Sequence, residues 1–152
     1  MPLYAFADSI AFEPSTTEYT FGETRVVRVL ERADGWGFRI DIYRESNLLA
    51  RYPDQYFEVI AASENNEFFV GISNRGLPDT AMIVFNKRGE LIRLRTHNGG
   101  IEYCRQSISL VREWFDPEDP ALSFVETETK IDVVWRGCDG EMQSHTLFKM
   151  VE

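Results

Sequence analysis

Glu67-Phe68-Phe69-Val70-Gly71-Ile72-Ser73, then the loop Asn74-Arg75-Gly76-Leu77-Pro78-Asp79, then Thr80-Ala81-Met82-Ile83-Val84-Phe85: this stretch decides the fold. Both runs are short, aromatic and β-branched, and turn-forming residues bound them, which is the composition of strands. Phe69–Ile72 carries no polar side chain, so it reads as a central strand covered on both faces. Upstream, Tyr56-Phe57-Glu58-Val59-Ile60-Ala61-Ala62 is a strand that returns through the turn Ser63-Glu64-Asn65-Asn66. Downstream, Asn86-Lys87-Arg88-Gly89 is a tight turn with glycine placed for positive φ, and Glu90-Leu91-Ile92-Arg93-Leu94-Arg95 completes a meander.

Working outward toward the start of the chain, Arg25-Val26-Val27-Arg28-Val29-Leu30 is β-branched, and Ala33-Asp34-Gly35-Trp36-Gly37 is a turn. Phe38, Ile40 and Ile42 then alternate with Arg39 and Asp41, as in a half-buried antiparallel strand. Leu48–Tyr52 follows, and Pro53-Asp54 breaks it. Residues 1–24 read as one edge strand near Tyr19–Phe21 or as partly irregular chain.

Toward the other end, His97-Asn98-Gly99-Gly100 is a strong break. Residues 101–115 fit two patterns. Ile101, Cys104, Ile108, Val111 and Phe115 recur at helical spacing, while Ile108, Leu110 and Trp114 also fit one face of a strand. Asp116-Pro117-Glu118-Asp119-Pro120 ends either element, because proline disfavours helix at the residue before it. Leu122–Glu126, Ile131–Trp135 and Met142–Phe148 return to strands around the turn Gly137-Cys138-Asp139-Gly140. The expected fold is mainly β: a single domain over residues 1–152, an antiparallel sheet system built as a sandwich or a curled meander. One helix near residues 101–115 stands as an alternative to a strand there.

Charge is the most informative bulk property. The net charge is −9, and it is unevenly spread. Residues 1–24 carry −4, residues 25–112 carry +2, and residues 113–141 carry −7. Phosphate backbones attract basic surfaces, so nucleic-acid binding is not expected, nor is binding to an acidic membrane surface. A basic protein partner would be drawn to such a field. The opening residues Met1 to Asp8 lack a basic stretch followed by an apolar one, and no run approaches the ~20 apolar residues of a membrane span. The expected location is cytoplasmic. Cys104 and Cys138 are therefore expected to be reduced thiols packed as small hydrophobes, with a single bridge as the alternative.

No catalytic or metal-binding constellation is legible. The only zinc-ligand set is His97, His145, Cys104 and Cys138, and its spacing fits no zinc pattern. A thiol–imidazole pair would need a cationic neighbour or a helix N-terminus to activate the cysteine, and nothing in the sequence places one. Gly35-Trp36-Gly37 and Gly99-Gly100 belong to turns rather than to a phosphate loop. The expectation is a non-enzyme with no cofactor. Candidate partner-binding residues are the aromatics Trp36 and Trp114 and the acidic loop residues Asp116, Glu118 and Asp119. An exposed tryptophan is a common anchor of interfaces.

The turn at Glu64–Asn66, the strands 67–73 and 80–85, and the glycine turn before Glu90-Leu91-Ile92 resemble one blade of a β-propeller over residues 64–92. A propeller repeats its blade, and no second copy is visible in the sequence. The meander Phe68–Leu94 is followed by Arg112-Glu113-Trp114-Phe115-Asp116, Pro120 and a closing hairpin around Cys138-Asp139-Gly140. In that order of parts, residues 56–148 resemble small bacterial proteins of the immunity type, which neutralise toxins exchanged between neighbouring cells. The resemblance implies an inhibitor whose acidic face masks the basic active-site surface of a cognate toxin. An adaptor of a secretion or assembly system, or a small β-domain enzyme, are the competing expectations. The sequence leaves the oligomeric state open.

Overall fold

A computed structural model of the chain describes residues 14–32, 36–76, 78–97, 101–106 and 112–149. Among them the first meander contains β1 (Ser15–Phe21), β2 (Thr24–Arg32), β3 (Trp36–Arg44) and β4 (Asn47–Pro53), paired antiparallel in chain order. The second contains β5 (Val59–Ala62), β6 (Phe68–Ile72), β7 (Thr80–Asn86) and β8 (Leu91–Thr96), again antiparallel in chain order. A two-residue ladder joins β9 (Arg105–Gln106) to β10 (Arg112–Glu113). The third meander contains β11 (Ser123–Glu126), β12 (Lys130–Arg136) and β13 (Met142–Lys149).

The second sheet is the middle layer, and its sequence explains why. Every residue of β7 is buried, as are Phe69 to Ile72 of β6, so neither face of these strands can meet water. Pairing Phe69 with Phe85 and Gly71 with Ile83 turns these residues to one side. There Phe69, Ile83 and Phe85 pack with Phe57 and with Val26, Ile40 and Ile42 of the first sheet. On the other side Val70, Ile72, Met82 and Val84 meet Ile131, Val133, Trp135 and Leu147 of the third sheet, together with Trp114 and Phe115. The period-two alternation of Phe38, Ile40 and Ile42 buries one face of β3 in this way.

Two polar ties fix the first layer on the second. The Arg28 guanidinium donates to the Phe57 carbonyl at 2.8 Å and lies over the Tyr56 ring, 5.1 Å from its centre. The Tyr52 hydroxyl donates to the Gly89 carbonyl. Gly89 has φ 80°, and a Cβ there would stand 3.0 Å from the Ala50 Cβ, so glycine both makes the turn and lets β4 approach it.

Three expectations change. Residues 105–106 and 112–113 are paired strands, so the helix over 101–115 does not form in the described part of that segment; residues 107–111 lie outside it. The edge ladder held Cys104 and Glu113 together, with the Cys104 amide on the Glu113 carbonyl at 2.9 Å. Trp36 opens β3 opposite Arg32 instead of capping a turn. Cys104 and Cys138 are disulfide-bonded, with Cα atoms 6.2 Å apart, where two free thiols were expected. The first sheet is likewise a four-stranded meander and the third a three-stranded one, and the second packs between them.

Candidate functional site

A groove of about 410 Å³ opens where the third sheet, the β9–β10 ladder and the end of β8 meet. Its floor is aromatic: Trp114 and Trp135 stand edge to face, 5.1 Å between ring centres, and the Trp114 Nε1–H donates to the Ser73 carbonyl at 2.8 Å. One wall is the segment Ile101–Cys104, closed by the Cys104–Cys138 bridge. The opposite wall is Gln143 and Ser144 of β13, and Arg95 of β8 also lines it. Glu102 and Asp139 add exposed carboxylates to the lining.

The titratable groups around the groove are engaged with one another. Tyr103 takes the His97 Nδ1–H at 3.0 Å and returns its own O–H to the His97 carbonyl. Burial lowers the His97 pKa and raises that of Tyr103, so both are neutral near pH 7. His145 accepts from Arg93 at 3.0 Å through Nε2; burial, then the charges of Arg95 and Arg93, lower its pKa. The two cysteines are bonded to each other and the two histidines are held by tyrosine and arginine. Among the described residues, no group of three His, Cys, Asp or Glu side chains is placed to hold a metal ion.

The anticipated binding residues fare differently. Trp114 is 4% exposed and belongs to the core between the second and third sheets, so it is not a surface anchor. The side chain of Trp36 lies outside the described residues. Asp116 spends its carboxylate on its own loop, accepting from the amides of Glu118 at 2.9 Å and Asp119 at 3.3 Å. Asp119 pairs with Arg136 at 2.7 Å. Glu118 is exposed. The loop is tied to the end of β12 by backbone bonds from Asp116 to Arg136 and from Arg136 to Pro120. That brings the acidic loop to the same end of the third sheet as Asp139 and Glu141. Arg95, Glu102, Gln143 and Ser144 were missed because no sequence pattern marks them; the pairing of distant strands assembles them.

No helix of the described residues is long and apolar enough to cross a membrane. Comparison with known proteins finds no matching family model, curated protein or solved structure.

Proposed function

We propose that this chain is a non-catalytic protein-binding domain of the immunity type, which neutralises a cognate toxin by covering the toxin's basic active-site surface. The observation that carries the reading is the gathering of Asp116, Glu118, Asp119, Asp139 and Glu141 at one end of the third sheet, beside a groove whose rim adds Glu102. Among the described residues, Asp119 in that set has a cation within ion-pairing distance, Arg136. A field of that sign accelerates encounter with a basic partner and rejects acidic ones. The half-buried Ile101 and Tyr103 in the groove next to the charge supply the apolar contact that holds a complex once formed.

A cytoplasmic setting belongs to the proposal. It requires the Cys104–Cys138 pair to be reduced in the cell, since thiols there are kept reduced. Rapid alkylation of freshly lysed cells followed by mass analysis reads this directly, and a fully bridged pool would move the domain to an oxidising compartment.

The functional test is co-purification from the native host, followed by association kinetics with the recovered partner. The on-rate should fall as salt rises, because the screening length shrinks from ~30 Å at 0.01 M to ~10 Å at 0.1 M. Replacing Asp116, Glu118 and Asp119 by Asn, Gln and Asn should lower the on-rate further while the loop keeps its acceptors. A partner indifferent to both changes rejects the acidic-face mechanism, and turnover of a small molecule without a protein partner rejects the binding reading.

A further inference from the structure

We infer that the groove beside β13 docks one extended strand of a partner protein, which joins the third sheet as its fourth strand and turns basic side chains toward Glu102 and Asp139. The inference deepens the protein-binding reading above and rests on it.

The first support is the stacking of the three sheets. The first and second meanders each end in a fourth strand, β4 and β8. Among the described residues the third ends at β13, whose outer edge has no strand partner. The layers lie in matching order. Tyr52 of β4 meets Phe85 of β7, β11 touches β5, and Arg93 of β8 reaches both His145 and the Leu147 carbonyl of β13. Arg95, also on β8, lines the groove together with Gln143 and Ser144 of β13.

The second support is the shape of the cavity. Gln143 pairs with Trp135 and Ser144 with Val134, so these consecutive residues point to opposite faces of the sheet. Both line the groove together with Trp135 of β12, so the cavity reaches from the Trp135–Gln143 face of the sheet to Ser144 of its last described strand.

The third support is what the edge lacks. Exposed edges are commonly blunted by charge, proline or bulges. Edge strand β4 carries Arg51 and Pro53, β8 carries Arg93 and Arg95, and β1 carries Glu18. From Met142 to Phe148 there is no Lys, Arg, Asp, Glu or Pro. A register shift leaves Leu147 unpaired with β12, and Arg93 takes its carbonyl at 3.1 Å, which closes that end. Among the described residues, no strand pairs with Met142–Thr146 on its outer side. Main-chain pairing along such an edge gives affinity, and alternate side chains give choice of partner. The carboxylates of Glu102 and Asp139 set that choice toward lysine and arginine.

The probe is a blocked heptapeptide of alternating lysine and valine, titrated into the isotope-labelled full chain and followed by NMR. Expected are shifts and slowed amide exchange centred on Met142–Thr146. N-methylation of alternate peptide amides should weaken binding about tenfold, the equivalent of one or two backbone hydrogen bonds. A glutamate–valine peptide should bind more weakly still, and E102Q with D139N should narrow the gap between the two peptides. Equal binding of the N-methylated peptide, or protection centred on another strand, overturns strand addition. Protection of β13 that grows with protein concentration alone assigns the edge to a second copy and also overturns the proposal. Neither Glu102 nor Asp139 belongs to the 116–119 loop, so the acidic-face mechanism and the strand groove can each fail alone.

Discussion

Gly71 of the central strand packs against Phe57: a Cβ on Gly71 would stand 2.7 Å from the Phe57 Cβ and 2.9 Å from the first ring carbon. Phe57 is fully buried and cannot move aside into solvent. Gly71→Ala should therefore destabilise the fold by about 1–3 kcal/mol, the usual cost of overpacking a core. Phe57→Leu in the same chain should recover part of that loss, and a thermal-melt double-mutant cycle measures the coupling. Additive effects would mean that the two residues do not compete for the space.

Asp41, 2% exposed, sits between Arg51 at 2.8 Å and Arg39 at 3.1 Å on the outer face of the first sheet. Burial alone would raise its pKa, but the hydrogen bonds from Arg51 and Arg39 outweigh that and hold it below the ordinary carboxylate range. A depressed carboxylate stabilises above its unfolded pKa of ~3.9 and loses that contribution as pH falls through the folded value. Asp41→Asn should lower the melting temperature at pH 7 and flatten the decline below pH ~4.

The two histidines act in the same direction, but from a higher pH. Burial lowers the folded pKa of both His97 and His145, so the unfolded chain takes up their protons first, from pH ~6.5 downward. Stability should be full above that pH and fall as acid is added below it. His145⁺ would also face Arg93 and Arg95, with Asp132 as the opposing charge. His145→Gln should make the melting temperature less sensitive to pH between 6.5 and 5, with wild-type steepness refuting the assignment.

The bridge between Cys104 and Cys138 spans 34 positions in sequence. Restricting a loop of that length in the unfolded chain is worth about 4 kcal/mol. Reduction, or Cys104→Ser with Cys138→Ser, should lower stability by that order. It should also loosen one wall of the groove, read as faster amide exchange at residues 101–104.

Trp114→Phe should cost about 1–3 kcal/mol, because it leaves the buried Ser73 carbonyl without the indole N–H and opens space beside Trp135. Partner binding should change only as far as the fold does. A Trp114→Phe chain with wild-type melting but faster partner dissociation would restore that residue as a contact.

The meander at residues 64–92 was legible because Phe69–Ile72 and Thr80–Phe85 carry a local signal: uninterrupted apolar residues between turn formers, which only a doubly covered strand satisfies. The alternation of Phe38, Ile40 and Ile42 was equally plain. Residues 101–115 misled because a helical spacing of apolar residues was present, yet the backbone bonds of Cys104 and Arg112 go to Glu113 and Asn74, partners that periodicity cannot reveal. Trp114, a candidate anchor beside an acidic loop, is drawn inward by Asn74 and Ser73, the Asn74 side-chain Oδ1 accepting from the Trp114 amide at 2.9 Å. By itself, then, the sequence determined the β class, the central strands and the acidic bias of residues 113–141, since propensity, side-chain alternation and charge are local properties. Only the tertiary structure decided which sheets stack, that Cys104 meets Cys138, and that Arg95, Glu102, Asp139 and Gln143 share one groove. Those contacts join residues far apart in the chain, and the burial of two faces of one sheet selects them all at once.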